Sequence, residues 1–257
     1  MSSTFYLPIH NEVEIFRYAF QNRLPLMLKG PTGCGKSRFV EYMADQLGRP
    51  LISVACHDET SAVDLMGRYL VKGGETLWQD GPVTRALREG AILYLDEVAE
   101  AREDVMVVLH PLTDHRREIC LDRKNEKLKA PAEFMVVVSF NPGYQRGLKE
   151  LKPSTRQRFL GIHFQYPEAK LEAEIVRQEA AVDAKIAEKL VQFGRKVRTL
   201  EELGLAQSVS TRLMVDAAIL IRAGLPARSA CDAAIIQPLT DDLEVMKSLR
   251  ELSALMF

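Results

Sequence analysis

Residues 30–37 read Gly30-Pro31-Thr32-Gly33-Cys34-Gly35-Lys36-Ser37 and satisfy G-x-x-x-x-G-K-[ST] at every fixed position. The pattern constrains the fold because its chemistry needs one context: a strand feeding a Gly-rich turn and a helix leaving it. Both flanks comply. Residues 24–28 form a short apolar run suited to a buried strand. Beyond the turn, Phe39, Val40, Met43, Ala44 and Leu47 recur at helical spacing. The N–H groups of such a turn, together with the positive helix end, wrap a polyphosphate. Lys36 would then reach the β- and γ-phosphates and Ser37 would hold Mg²⁺, with Gly30, Pro31, Thr32, Gly33, Cys34 and Gly35 lining an ATP cradle.

A second signature lies downstream. Residues 91–95 are apolar and end in adjacent carboxylates, Asp96 and Glu97. A buried parallel strand delivers such residues at its C-terminal end, beside the phosphate loop. There Asp96 would hold Mg²⁺ and Glu97 would polarise the attacking water as general base. An apolar run ending in Asp-Glu says little alone; its distance after a phosphate loop makes it informative. Residues 134–140 read as the strongest strand of the chain, broken by Asn141-Pro142-Gly143. Asn141 is either a turn former or an amide aimed at the γ-phosphate or the water.

The bulk numbers permit this chemistry and disfavour others. With 257 residues and 47% apolar composition, a core of one large or two modest domains can form. A net charge of −1 is unlike the basic domain of a dedicated nucleic-acid binder. No apolar run is long enough to span a membrane, and residues 1–10 lack the pattern of a signal peptide. Four cysteines, Cys34, Cys56, Cys120 and Cys231, form no C-x-x-C pair, in keeping with a reduced cytoplasmic setting. Cys56-His57-Asp58-Glu59 offers metal-ligating side chains, but no second ligand pair stands at zinc spacing, which favours a capped loop.

Two insertions stand out. Gly73-Gly74 between β-prone runs predicts a hairpin over residues 67–81, with Lys72 facing Glu75, Leu70 facing Leu77 and Tyr69 facing Trp78. It either folds onto its own core or projects toward a partner. Residues 113–130 are rich in charge and suggest a second hairpin around residues 122–126. A nucleic-acid contact through Arg116, Arg117, Lys124, Lys127 and Lys129 is one reading. Interspersed Asp114, Glu118, Asp122 and Glu126 favour a solvated hairpin. Further on, Arg156 and Arg158 precede a last core strand at residues 160–164. From residue 168 the periodicity is helical, with helices expected at 168–179, 184–197, 211–223 and 227–236. Ser210 or Thr211 caps the third, placing Arg212 in its first turn.

In this order the pieces resemble an AAA+ ATPase over nearly the whole chain: phosphate loop, acidic strand end, Asn141, arginines, and Ser210-Thr211-Arg212 opening a lid helix. The two hairpins resemble those of the MoxR branch. Segments 28–36, 54–58, 78–82, 110–117, 141–145 and 153–159 look like those of the CbbQ/NirQ/NorQ group. The resemblance implies an α/β P-loop domain with a three-layer αβα arrangement and a parallel sheet over residues 1–166. A small all-α lid would follow over residues 167–257. It also implies a homo-hexamer hydrolysing ATP with Mg²⁺ between subunits, and an adaptor carrying a von Willebrand factor A domain. By that resemblance Asn141 is the first sensor, Arg212 the second, and Arg158, favoured over Arg156, the finger reaching a neighbour's γ-phosphate. The expected activity is that of the motor subunit of a Rubisco activase, which frees the enzyme of inhibitory sugar phosphates. The alternative is maturation of a nitric oxide reductase, and a third reading, an ATP-dependent nucleic-acid binder, rests on the basic hairpin.

Overall fold

The computed structural model describes residues 4–141, 151–200 and 208–257. Two compact units emerge. The first comprises Met1–Thr4, His10–Gly30 and Lys36–His163; the second comprises Phe5–Ile9, Pro31–Gly35 and Phe164–Phe257.

In the first unit, β1 (Leu26–Lys29), β2 (Leu51–Ala55), β5 (Ile92–Asp96), β8 (Met135–Phe140) and β9 (Leu160–His163) form one sheet in the order β2-β5-β8-β1-β9. Every pairing in it is parallel. Composition explains the order. β8 is buried at all of its positions and β5 at all but its last, as continuous apolar runs covered on both faces must be. β2 and β9, at the edges, include exposed positions. Around this sheet lie α1 (Glu12–Gln21), α2 (Lys36–Leu47), α3 (Ala62–Met66), α4 (Pro82–Glu89), α5 (Glu103–Leu109) and the short α6 (Pro153–Arg156). α1 and α2 bury Phe16 and Phe39, whose rings meet edge to face at 5.6 Å.

Both insertions are hairpins. β3 (Gly67–Lys72) pairs with β4 (Glu75–Asp80) in the expected register, with Tyr69 opposite Trp78 and Lys72 opposite Glu75. The hairpin is packed at one end and exposed toward the other. At the base, Trp78 packs against the core and its Nε1–H donates to Asp80 at 2.6 Å. Toward the tip, Tyr69, Leu70, Val71 and Leu77 are exposed. The second hairpin joins β6 (Glu118–Leu121) to β7 (Glu126–Lys129). Its cations are engaged within the chain: Arg116 with Asp114, Lys127 with Glu118 and Lys124 with Glu126. Arg117 donates to the carbonyls of Arg23, Pro131 and Phe134. Three of the five basic residues named from the sequence thus pair with acids of the same stretch, and Arg117 is held by carbonyls.

The second unit is helical: α7 (Ala169–Ala180), α8 (Ala184–Thr199), α9 (Thr211–Arg222), α10 (Ala227–Cys231), α11 (Gln237–Leu239) and α12 (Leu243–Met256). α8 and α9 touch at Gly194, where a Cβ would lie 2.5 Å from Met214 Sδ, so any larger residue would have to displace that buried methionine side chain. The single helix expected over 227–236 is instead α10 followed by a π turn, Asp232–Ile236. Pro238, which has no N–H to donate, follows at once. α12 was not expected; Asp242 caps it by accepting from Glu244 N–H and Val245 N–H. Among the described residues no helix is long and apolar enough to cross a membrane.

Candidate functional site

Parallel strands carry their C-terminal ends to a common edge, where open α/β sheets bind ligands. β1 ends at Lys29 and leads into the phosphate loop; α2 begins at Lys36. β5 ends at Asp96. β8 ends at Phe140, immediately before Asn141. Tyr94 pairs with Val137 and Leu95 with Val138, so one step further Asp96 comes level with Ser139. Side chains alternate along a strand, and Tyr94 therefore shares a face with Asp96.

Of the residues expected from the sequence in this unit, Lys36, Ser37, Asp96, Glu97 and Asn141 converge. Lys36 is only 7% exposed, and its Nζ donates to the Gly30 carbonyl at 2.9 Å and to Asn141 Oδ1 at 2.8 Å. Asn141 Nδ2 lies 3.4 Å from Glu97 Oε1. Ser37 Oγ donates to Asp96 Oδ2 at 3.0 Å. These bonds make two groups at the same edge of the sheet, Lys36–Asn141–Glu97 and Ser37–Asp96. Pro142 and Gly143 lie outside the described residues.

Two participants were not singled out from the sequence. Tyr94 Oη donates to Asp96 Oδ1 at 2.8 Å and lies 3.3 Å from Ser37 Oγ. Ser139 Oγ makes a short hydrogen bond to the same Asp96 oxygen and accepts the Glu97 N–H at 3.1 Å. Burial, and then the charge of Asp96, push the Tyr94 phenol well above its ordinary pKa, so it stays a neutral donor. A polar signal was present in both cases: a hydroxyl two residues before the acidic pair, and a serine closing a run of valines. Glu97 itself is left-handed, at φ 53° and ψ 43°. For a non-glycine residue this costs on the order of 1–3 kcal/mol and persists only where neighbours hold it.

Cys56 stands close by, its N–H donating to the Asp96 carbonyl at 2.9 Å. Burial, reinforced by the charges of Asp96 and Glu97, pushes its thiol up to about 12. It is therefore an inert thiol at neutral pH. Among the described residues no group of three or more His, Cys, Asp and Glu side chains could by itself hold a metal ion, the 56–59 stretch included.

The loop tip belongs to the second unit. Gly33 has φ +68°, and a Cβ there would lie 2.5 Å from Ser210 Cβ, so both conformation and space demand glycine. The Thr32 carbonyl accepts from Tyr166 Oη at 3.0 Å. Ser210 caps α9 by accepting the Leu213 N–H at 3.3 Å, and Arg212 is exposed on the first turn, as its position predicted. Cys34 is buried within the turn.

The arginines before β9 are placed differently. Arg156 is half-buried on α6. Arg158 Nη1 stands 3.5 Å from Asp114 Oδ2, while its buried Nε has no hydrogen bond among the described residues. Asp114 is held mainly by Arg116, at 2.6 Å, and that guanidinium keeps its carboxyl well below the usual range. No hydrogen bond of Arg158 among the described residues reaches Lys36, Asp96 or Glu97.

Comparison with known proteins agrees with this geometry. A putative ATPase from Cytophaga hutchinsonii superposes with a TM-score of 0.54 at 17% identity, covering 94% of this chain and 80% of that one. A mutant RuvB of Thermotoga maritima gives 0.58 at 14% identity, covering 95% and 69%. The profile described as AAA domain (dynein-related subfamily) matches residues 25–159. Fold and site define an AAA+ ATPase, an enzyme that hydrolyses ATP. A second profile, CbbQ/NirQ/NorQ C-terminal, matches residues 172–256. Protein NorQ of Paracoccus denitrificans is 57% identical, over 100% of this chain and 95% of its own. The denitrification regulatory protein NirQ of Stutzerimonas stutzeri is 53% identical, over 96% and 90%. Protein CbbQ of Hydrogenophilus thermoluteolus is 52% identical, over 100% and 96%. The chain belongs to the CbbQ/NirQ/NorQ family of AAA+ proteins, within the MoxR branch.

Proposed function

We propose that this chain couples ATP hydrolysis at the Lys36–Asp96–Glu97 patch to the remodelling of a target enzyme. The observation that carries the reading is that Lys36, Asn141 and Glu97 hydrogen-bond in one group, Ser37 and Asp96 in another, and Ser139 joins the two at the sheet edge. In this reading the turn from Gly30 to Gly35 cradles the phosphates and Lys36 turns to the β- and γ-phosphates. Ser37 Oγ and Asp96 Oδ2, hard oxygen donors 3.0 Å apart, fit Mg²⁺, which takes one or two protein oxygens and completes its shell with phosphate and water. Bound there, the ion would neutralise charge developing on the phosphates. Glu97 orients and deprotonates the attacking water, and Asn141, already within reach of it, registers the γ-phosphate.

Arg212 serves as the second sensor from the start of α9. Arg158, engaged with Asp114 and outside the cluster, is suited to serve as the finger for a neighbouring subunit in a homo-hexamer. The exposed apolar tip of the β3–β4 hairpin is the proposed contact for an adaptor bearing a von Willebrand factor A domain, or for the target itself.

The target proposed first is a denitrification complex such as nitric oxide reductase. Two relatives are named for denitrification, and the NorQ relative shares 57% identity. Rubisco is the second target, supported by 52% identity to CbbQ over 256 residues. The hydrolytic reading is tested with Glu97→Gln: ATP binding is retained, and turnover falls by about a hundredfold or more. Normal turnover in that variant would remove Glu97 from the chemistry. The targets are separated by adding ATP and the adaptor to each enzyme. Gain of reductase activity supports the first, and release of a sugar-phosphate inhibitor from Rubisco supports the second.

A further inference from the structure

The Asp96 carboxylate has four acceptor lone pairs, and its neighbours divide them unequally. Oδ1 accepts from both Tyr94 Oη and Ser139 Oγ. Oδ2 accepts from Ser37 Oγ, the side on which a metal shared with Ser37 would lie. The donors on Oδ1 are neutral hydroxyls. They fix the plane of the carboxylate without cancelling its charge, which an arginine or lysine in the same place would do.

Ser139 does more than donate. Its one proton goes to Asp96, and its oxygen accepts the N–H of Glu97 at 3.1 Å. That N–H belongs to the left-handed residue whose side chain would activate water. One fully buried hydroxyl on β8 therefore touches both members of the acidic pair on β5. It holds the carboxylate of the first and the backbone of the second. β8 also carries Asn141 directly beyond its end, so the same strand sets the amide that meets Glu97 and the lysine.

We infer that Ser139 is a positioning residue for ATP hydrolysis. It locks the Asp96 carboxylate and the Glu97 backbone into one unit, with Tyr94 as the second fixed donor to Asp96. The inference rests on the roles proposed above for those two carboxylates. Neither hydroxyl touches a reacting atom; both act through Asp96 and Glu97.

The test uses the full chain and two readouts. A fluorescent ADP analogue is bound with Mg²⁺ titrated from chelator-treated buffer upward, and ATP turnover is measured alongside. Removing a group that orients a metal ligand weakens metal affinity or activity by about tenfold to a hundredfold. For Ser139→Ala the expected outcome is unchanged affinity in chelator and about tenfold more Mg²⁺ for the half-maximal effect. Turnover should fall by about the same factor or more. Ser139→Thr, which keeps the hydroxyl, should recover most of both. Tyr94→Phe, which keeps the ring, should raise the Mg²⁺ requirement about threefold, since Ser139 still holds Oδ1.

If a folded Ser139→Ala keeps the parental Mg²⁺ dependence, the inference is wrong, whatever Tyr94→Phe does. It is equally wrong if affinity falls by the same factor with and without Mg²⁺, which marks a purely structural role. Should Ser139→Ala not fold, Tyr94→Phe decides by the same criterion. Glu97→Gln serves as the control: normal turnover there would refute the assigned role of Glu97 while leaving the Mg²⁺ titration as a clean reading of Asp96.

Discussion

Each unit holds a carboxylate in a dense set of donors, and the two are held in opposite ways. The Asp96 carboxylate, in the first unit, accepts from the hydroxyls of Ser37, Tyr94 and Ser139. Glu172, on α7 of the second unit, is fully buried and meets the Arg198 guanidinium in two parallel bonds of 2.7 and 2.9 Å, together with the Thr211 hydroxyl at 2.6 Å. Arg198 also donates to the Val209 carbonyl and lies over the Tyr166 ring at 3.9 Å. At Glu172 the negative charge is spent on a bidentate cation and ties α7, α8 and the start of α9 together. At Asp96 the donors are neutral hydroxyls, which in the role proposed for it would orient the group and leave its charge for an incoming cation. What surrounds a carboxylate, more than the carboxylate itself, separates a strut from a ligand.

That contrast can be broken by experiment. The largest effect is expected at the strut. Glu172→Ala strands a guanidinium that is nearly buried, and loss of one partner of such a pair costs about 3–5 kcal/mol of folding free energy. Chemical denaturation should read this as a lower midpoint, with the protein that remains folded still binding nucleotide. A next, smaller effect of the opposite kind is expected at the ligand. Asp96→Asn keeps the shape and an oxygen to accept from Tyr94 and Ser139, turns the Ser37 contact into one donated by the amide, and removes the charge, so turnover should drop about a hundredfold, roughly 2.7 kcal/mol of barrier, while the denaturation midpoint barely moves. A strong loss of stability there would erase the distinction drawn between the two sites. The smallest effect sharpens the scale. Lys152 and Glu103 form a pair at 3.0 Å with side chains 69% and 78% exposed, and Lys152→Ala should change stability by no more than about 0.5 kcal/mol.

Legibility followed the range of the interaction. The strand–loop–helix around Lys36 and the strand ending at Asp96 were readable because motif and periodicity are local. The β3–β4 register was equally readable, since a two-residue Gly-Gly turn fixes every pair above it. Asn141, open from its own residues between a turn former and an amide aimed at phosphate or water, lies beside Lys36 and Glu97. The path of the chain after Cys231 was not readable in the same way, because the π turn before Pro238 breaks the helical period there. α12 carried a usable cap in Asp242, but short polar residues before an apolar run are too common to act as more than a local hint.

The amino-acid order alone determined that a phosphate loop, an acidic strand end and a run of helices occur in an AAA+ sequence, because each is written within a dozen or so neighbouring residues. Tertiary structure decided which hydroxyl serves which carboxylate. Ser139 meets Asp96 across 43 residues, and Thr211 meets Glu172 across 39. Such pairings depend on strand register and helix packing, which bring distant segments together through burial rather than through any local pattern.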